Sequence, residues 1–210
     1  MILGISASGR TNGITSETVK AILEATGSEY EFISLAGKQI SGCIGCTKCA
    51  SDNKCKLKDD WLEIAEKMLA ADAIVFGAPN YHGYMNALGH ACLERTFCFR
   101  HREVFNMAGK LGVIVSVDYF GDSAVHTHIK DMMLSNMMSV VDSVQAQGYS
   151  QCYTCGYGIG CAAGRIVKTH GFIETLEEQH FPLRLEKQEK TLFQVRRAGQ
   201  TLGSILSNRE

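Results

Sequence analysis

Two stretches constrain the fold most: Ala73-Ile74-Val75-Phe76-Gly77 and Leu111 to Val117. Both are apolar at successive positions, with no inside-outside alternation. A strand that is apolar on both faces is buried on both faces, as parallel strands between two layers of helices are. The rest of the chain agrees. Ile2 to Ser6 is a third short apolar run, Tyr30 to Leu35 alternates enough for a strand, and Val140 to Gln147 is a weaker one. Helical spacing separates them. Val19, Ile22 and Leu23 lead to a stop at Gly27, and Trp61, Ile64, Ala65 and Met68 form a stripe. A helix is expected from about Asn86 to Phe97, and another carries Ile129, Met132, Met133 and Met137. Asp60 and Glu63 stand at capping-box spacing before the second helix. A polar helix is expected over roughly Lys187 to Leu206. Five alternations of strand and helix define an α/β, doubly wound, five-stranded parallel sheet with helices on both faces. Ligands of such sheets bind beyond the carboxyl ends of the strands. The loops after the first, third and fourth strands are therefore the expected walls of a site.

At 210 residues the chain is read as a single domain, 1–210, with a cysteine loop at 41–58, a second cysteine loop at 150–165 and a helical tail at 181–210. The formal net charge is −1 and no long basic run occurs, so no nucleic-acid partner is expected. The opening Met1-Ile2-Leu3-Gly4-Ile5 is too short for a signal-peptide core, and no apolar run approaches the roughly 20 residues that span a bilayer. The expectation is a cytoplasmic protein without a membrane partner. In that compartment nine cysteines read as ligands or redox groups rather than a disulfide framework.

Four of the nine lie in Cys43-x2-Cys46-x2-Cys49-x5-Cys55. Thiolates this close in sequence converge if the backbone curls. The spacing is nearer to the compact run around a [4Fe–4S] cube than to two separated zinc knuckles. Five residues precede the last Cys here where the ferredoxin run has three, so zinc and unmetallated thiols stay open. A second stretch, Cys152, Cys155 and Cys161, reads as a structural loop, a metal or second-cluster site completed by His170 or another subunit, or a redox thiol pair. Cys92 and Cys98 read as core.

The loop Ser6-Ala7-Ser8-Gly9-Arg10-Thr11-Asn12-Gly13-Ile14-Thr15-Ser16 is neither G-x-G-x-x-G nor a Walker A loop. It places hydroxyls, an amide and a guanidinium at a helix amino end, where free N–H groups and the dipole attract an anion such as a terminal phosphate. The alternative is an ordinary capped turn. Ala78-Pro79-Asn80-Tyr81-His82-Gly83-Tyr84 offers backbone donors and two tyrosines, which suit a flavin ring or simple packing. Arg95, Arg100, His101 and Arg102 read as a solvated helix end. The Met132–Met138 group reads as core or interface, and His126 and His128 as candidates for the mouth of the site.

Taken together, Gly4-Ile5-Ser6-Ala7-Ser8-Gly9-Arg10-Thr11-Asn12-Gly13-Ile14-Thr15, Gly77-Ala78-Pro79-Asn80-Tyr81 and the Cys43–Cys55 run followed by Asp59-Asp60 resemble the flavodoxin-like NADPH-dependent FMN reductases, and among them the iron–sulfur flavoproteins. The likeness covers most of residues 1 to 165. It departs at Gly9, where Pro is usual, and at Ile14 and Asn80. The resemblance implies a flavodoxin-like fold and an FMN-dependent oxidoreductase whose cofactors carry the chemistry, with no catalytic acid or base. FMN would be bound by Ser8, Arg10, Asn12, Ile14 and Thr15, by Ala78, Pro79, Asn80, Tyr81, His82, Gly83 and Tyr84, and by Ser116, Asp118, Tyr119 and Gly121. A [4Fe–4S] cluster would sit on Cys43, Cys46, Cys49 and Cys55. The implied partners are a redox carrier such as ferredoxin or NAD(P)H, and further copies of the chain in a homodimer or homotetramer. The alternatives are a cluster-free NAD(P)H-dependent FMN or quinone reductase and a non-enzymatic FMN electron carrier.

Overall fold

The computed structural model describes residues 1–121 and 124–209. Its elements are β1 (Ile2–Ser6), α1 (Ile14–Ala25), β2 (Tyr30–Ser34), α2 (Trp61–Ala70), β3 (Ala73–Tyr81), β4 (Tyr84–Met85), α3 (Ala87–Glu94), β5 (Leu111–Asp118), α4 (Val125–Ser135), β6 (Ser139–Gln147), α5 (Arg165–His170) and α6 (Glu189–Ser207). The sheet order is β2-β1-β3-β5-β6, every pair parallel, with β4 antiparallel to the end of β3. This is the expected doubly wound sheet, and its strand order reverses at β1 and β3.

Strand pleating divides the core. Leu3, Ile5, Ile74, Phe76 and Ile114 point to the face covered by Trp61, Ile64 and Met68 of α2 and Ile129 and Met133 of α4. Ile2, Val75, Val113 and Val115 point to the other, under Val19, Ile22 and Leu23 of α1 and Val195, Ala198 and Leu202 of α6. The terminal helix, expected to be polar, therefore carries one buried stripe. Its burial continues the layer that α1 begins.

Several local expectations are corrected. Asp60 and Glu63 form no capping box. Asp60 is already in helical φ/ψ, with no side-chain cap, and its carboxylate accepts the Gln39 N–H at 2.7 Å. The 78–84 segment is no open loop. β3 runs on to Tyr81 and turns back into β4, with His82 (φ 56°) and Gly83 (φ 88°) as the two left-handed residues of a tight hairpin. Asn80 stabilises that turn by accepting the Gly83 N–H at 2.7 Å. α3 stops at Glu94, and Arg95–Phe99 continues as a 3₁₀ turn. Met137 lies beyond α4 in a left-handed conformation and is exposed. Asp122 lies outside the described residues.

Candidate functional site

Parallel pairing brings the expected walls together. Ser6 is in register with Gly77, Ala78 with Ser116 and Pro79 with Val117, so β1, β3 and β5 all end on one rim. β2 ends there too, with Ser34 beside Ser6, which places the start of the 41–58 cysteine loop on the same rim.

In the loop after β1, the Ser8 hydroxyl accepts the Arg10 N–H at 3.1 Å. Ile14 and Thr15 are buried under the helix start, whereas Arg10 and Asn12 are exposed. Ser6 and Ser16, also candidates as phosphate donors, bond to each other at 2.9 Å behind the loop, buried. No side chain caps α1 at Gly13. An uncapped first turn leaves N–H groups that an anion can satisfy, and the dipole favours negative charge there. The donor set fits a phosphate monoester.

The hairpin after β3 sets Tyr81 directly opposite Tyr84, so both rings lie on one face of it, and both are exposed. The Tyr84 ring stacks on His128 at 5.0 Å between centroids. The Gly83 carbonyl accepts the Ala124 N–H at 3.1 Å, tying the hairpin tip to the start of α4. The Asn86 amide donates to the Ala7 carbonyl at 2.7 Å and so joins this segment to the first loop. Ser116 and Asp118 are buried and still in β5. Asp118 accepts the Gly121 N–H, which closes the turn after the strand.

The second cysteine loop leans on both neighbours. Thr154 accepts a hydrogen bond from the Arg10 guanidinium at 3.2 Å, Tyr153 and Tyr119 hydroxyls meet at 3.3 Å, and Arg165 lies over the Phe120 ring at 4.3 Å. Burial, followed by the Tyr119 hydroxyl, raises the Tyr153 pKa. His170 does not complete a cysteine site. Its Nε2 lies 3.3 Å from the Tyr153 hydroxyl and 3.0 Å from the His180 carbonyl.

The first cysteine loop curls through left-handed Gly45, Thr47 and Asn53. Cys43, Cys46, Cys49 and Cys55 all line one recess of ≈ 350 Å³, open space at its mouth included, together with Cys98 and Arg95. The Cys49 thiol is pushed up by burial, against its own backbone hydrogen bond, and further by the negative charge of Cys55, Cys43 and Cys46. Among the described residues, no three His, Cys, Asp or Glu side chains form a group that could hold a single metal ion.

Residues that sequence reasoning misread hold this loop. Arg95 is no solvated helix end. It is 1% exposed, grips Asp59 with both nitrogens at 2.8 and 3.2 Å, donates to the Ser41 carbonyl at 2.9 Å, and lies 4.8 Å over Trp61. Burial works against ionisation of Asp59, but Arg95 and the Ser41 donors outweigh it and lower the Asp59 pKa. Glu94 accepts the Cys43 N–H at 2.8 Å, and His101 Nε2 lies 3.0 Å from Cys49 Sγ. The one available signal was the Asp59-Asp60 pair that follows the cysteines, of which Asp59 takes Arg95 and Asp60 the Gln39 N–H. Cys92 and Cys98 are buried, and burial pushes each thiol up to about 12, as core residues require.

The fold and rim define a flavodoxin-like protein, and the comparisons make it a flavin-dependent oxidoreductase. The sequence model of the NADPH-dependent FMN reductases matches residues 1–149. The iron–sulfur flavoprotein MJ1083 of Methanocaldococcus jannaschii is 34% identical over 170 residues, covering 78% of this chain and 84% of the relative. An iron–sulfur flavoprotein of Archaeoglobus fulgidus is 34% identical over 120 residues, or 56% of this chain and 61% of that one. Among solved structures, RosB superposes with a TM-score of 0.64 at 15% identity, over 99% of this chain and 80% of its own. A flavodoxin from the domain Archaea superposes with 0.53 at 14%, over 98% of both. The chain belongs to the NADPH-dependent FMN reductase family, in its iron–sulfur flavoprotein branch, and FMN is its cofactor. No helix among the described residues is long and apolar enough to cross a membrane.

Proposed function

We propose that the chain holds FMN between the loops after β1, β3 and β5, and a [4Fe–4S] cluster on Cys43, Cys46, Cys49 and Cys55. In this reading it moves electrons between one-electron carriers such as ferredoxin and the flavin or a small acceptor, in the cytoplasm. The family's name makes NADPH the nicotinamide partner to test. The observation that carries the reading is the shared recess of the four thiols, in the loop that follows the end of β2.

FMN supplies two-electron chemistry and stepwise one-electron chemistry, which lets it pair with a one-electron centre. The chain's residues bind and orient. Arg10 and the uncapped first turn of α1 attract the phosphate, with Ser8, Asn12, Ile14 and Thr15 around it. The paired Tyr81 and Tyr84 give the ring a flat apolar wall, and Ser116, Asp118, Tyr119 and Gly121 bound it opposite. Around the thiols, Arg95 offsets negative charge from beneath, while the Gly45 N–H donates to Cys43 Sγ at 3.5 Å. Such donors to sulfur set the potential of a cluster. Four cysteines within one loop, rather than two separated knuckles, suit a polynuclear group better than zinc. Ile44 and Phe97 are exposed at this recess and suit a further copy of the chain, in a homodimer or homotetramer.

The test is Cys46→Ser in anaerobically reconstituted protein. The reading expects loss of the reduced-cluster EPR signal assigned to this loop while FMN stays bound. A cluster signal unchanged by the substitution refutes the assignment to this loop, and no cluster signal in wild type refutes the reading in favour of a cluster-free NADPH-dependent reductase.

A further inference from the structure

Cys152, Cys155 and Cys161 follow one another as C-x2-C-x5-C, and so do Cys46, Cys49 and Cys55 of the first loop. The chain thus carries the last three positions of its first cysteine loop a second time.

The second copy folds as a tight loop. Short 3₁₀ turns at Gln151–Tyr153 and Gly158–Gly160 bend the chain back on itself. Gly158 packs against the start of the loop so closely that an added Cβ would stand 2.2 Å from the Cys152 carbonyl oxygen. Only glycine permits that return. It brings the 164–165 peptide beside two thiols. The Arg165 N–H donates to Cys152 Sγ at 3.1 Å, and Cys161 Sγ lies 3.4 Å from where a Cβ on Gly164 would be. Cys155 Sγ accepts the Tyr157 N–H at 3.5 Å and lies 3.5 Å from the Cys152 carbonyl. N–H groups therefore point at two of the three sulfurs, as one does at Cys43 in the first loop. All three cysteines are free, two of them exposed.

We propose that Cys152, Cys155 and Cys161 hold a second iron–sulfur cluster on three thiolates, with one iron position left to a non-cysteine ligand. The proposal rests on the reading of the first loop for the kind of group bound, but not for the placement of these thiols. The site stands beside the flavin loops, because Thr154 bonds Arg10 and Tyr153 meets Tyr119. The iron without a cysteine gives the protein an open position for a small oxygen-donor molecule, a role that a four-cysteine cluster cannot fill.

The experiment measures iron and acid-labile sulfide per FMN in the full chain after anaerobic reconstitution, with EPR spin counts after reduction. Wild type is compared with a Cys152→Ser/Cys155→Ser/Cys161→Ser variant and a Cys43→Ser/Cys46→Ser/Cys49→Ser variant. FMN absorbance reports folding, and Cys155→Ala, which removes one exposed thiol, serves where the triple variant loses FMN. The expected result is about eight irons per FMN in wild type and about four in either triple variant. If the first loop binds nothing, wild type holds about four and only the second-loop variant loses them. Iron unchanged by the second-loop substitutions overturns the proposal. So does a disulfide among these three cysteines in the reconstituted protein, which would make them a redox thiol pair.

Discussion

Asp59→Ala tests how the cysteine loop is held. The substitution leaves the Arg95 guanidinium, 1% exposed, without its counter-charge. Breaking a buried ion pair from one side costs about 3–5 kcal/mol. The structure argues for the lower end. Asp59 is 12% exposed, so water can enter its place, and Arg95 keeps the Ser41 carbonyl and the Trp61 face. At about 2–4 °C per kcal/mol for a chain of this size, about 3 kcal/mol lowers Tm by about 6–12 °C. The assay is thermal unfolding of the FMN-loaded protein, followed by circular dichroism and flavin fluorescence together. Asp59 also binds Ser41, two positions before Cys43, so iron retention should fall with stability. Asp59→Ala/Arg95→Met should be more stable than Asp59→Ala alone, because no charge is then stranded. A double variant as unstable as the single one, or a single variant within about 2 °C of wild type, would refute the reasoning.

Other outcomes follow from the same geometry. Arg10→Ala removes a charge-assisted contact worth about 1.5–3 kcal/mol and should weaken FMN binding about tenfold or more by fluorescence titration, with a loss that shrinks as salt rises. Tyr81→Ala should shift the flavin potential in spectroelectrochemistry while leaving FMN bound, because the phosphate loop is separate. His101→Phe removes the partner of Cys49 and should lower the potential of the first-loop cluster in an EPR-monitored titration, since a sulfur that loses a donor holds its charge less well. The lowered Asp59 pKa means that its pair contributes fully above the unfolded carboxylate value of about 3.9 and loses that contribution as pH falls below it. Urea midpoints should therefore show no contribution from Asp59 to any change between neutral pH and about pH 5, and Asp59→Ala should flatten the acid limb.

The sheet was legible because its signal is local. Val75 and Val113 stand in runs so apolar that only burial on both faces accommodates them, and the spacing of Val19, Ile22 and Leu23 names the helix face that covers one side. The turn before α1 was legible for the same reason, being one strand end followed by one helix start. What failed depends on distant partners. Arg95 follows a helix and looks solvated until Asp59, 36 positions earlier, is seen to fold beneath it. Asp60 has the spacing of a cap, but the Gln39 N–H claims its carboxylate. Asn80, His82 and Gly83 are turn formers, and nothing in their order says that Tyr81 and Tyr84 pair as strands across them. The contact between Arg10 and Thr154 spans 144 positions. No local pattern announces it, and it is what sets the second cysteine loop against the first functional one.

The central claim is that the first cysteine loop gives the flavin a one-electron partner. Its most direct test is an anaerobic reductive titration of the reconstituted Cys152→Ser/Cys155→Ser/Cys161→Ser variant, in which only the first loop can hold a cluster. Complete reduction should take about three electron equivalents per FMN, two for the flavin and one for the cluster, with a single EPR signal appearing alongside. An end point at about two equivalents per FMN, with no signal, would contradict the account.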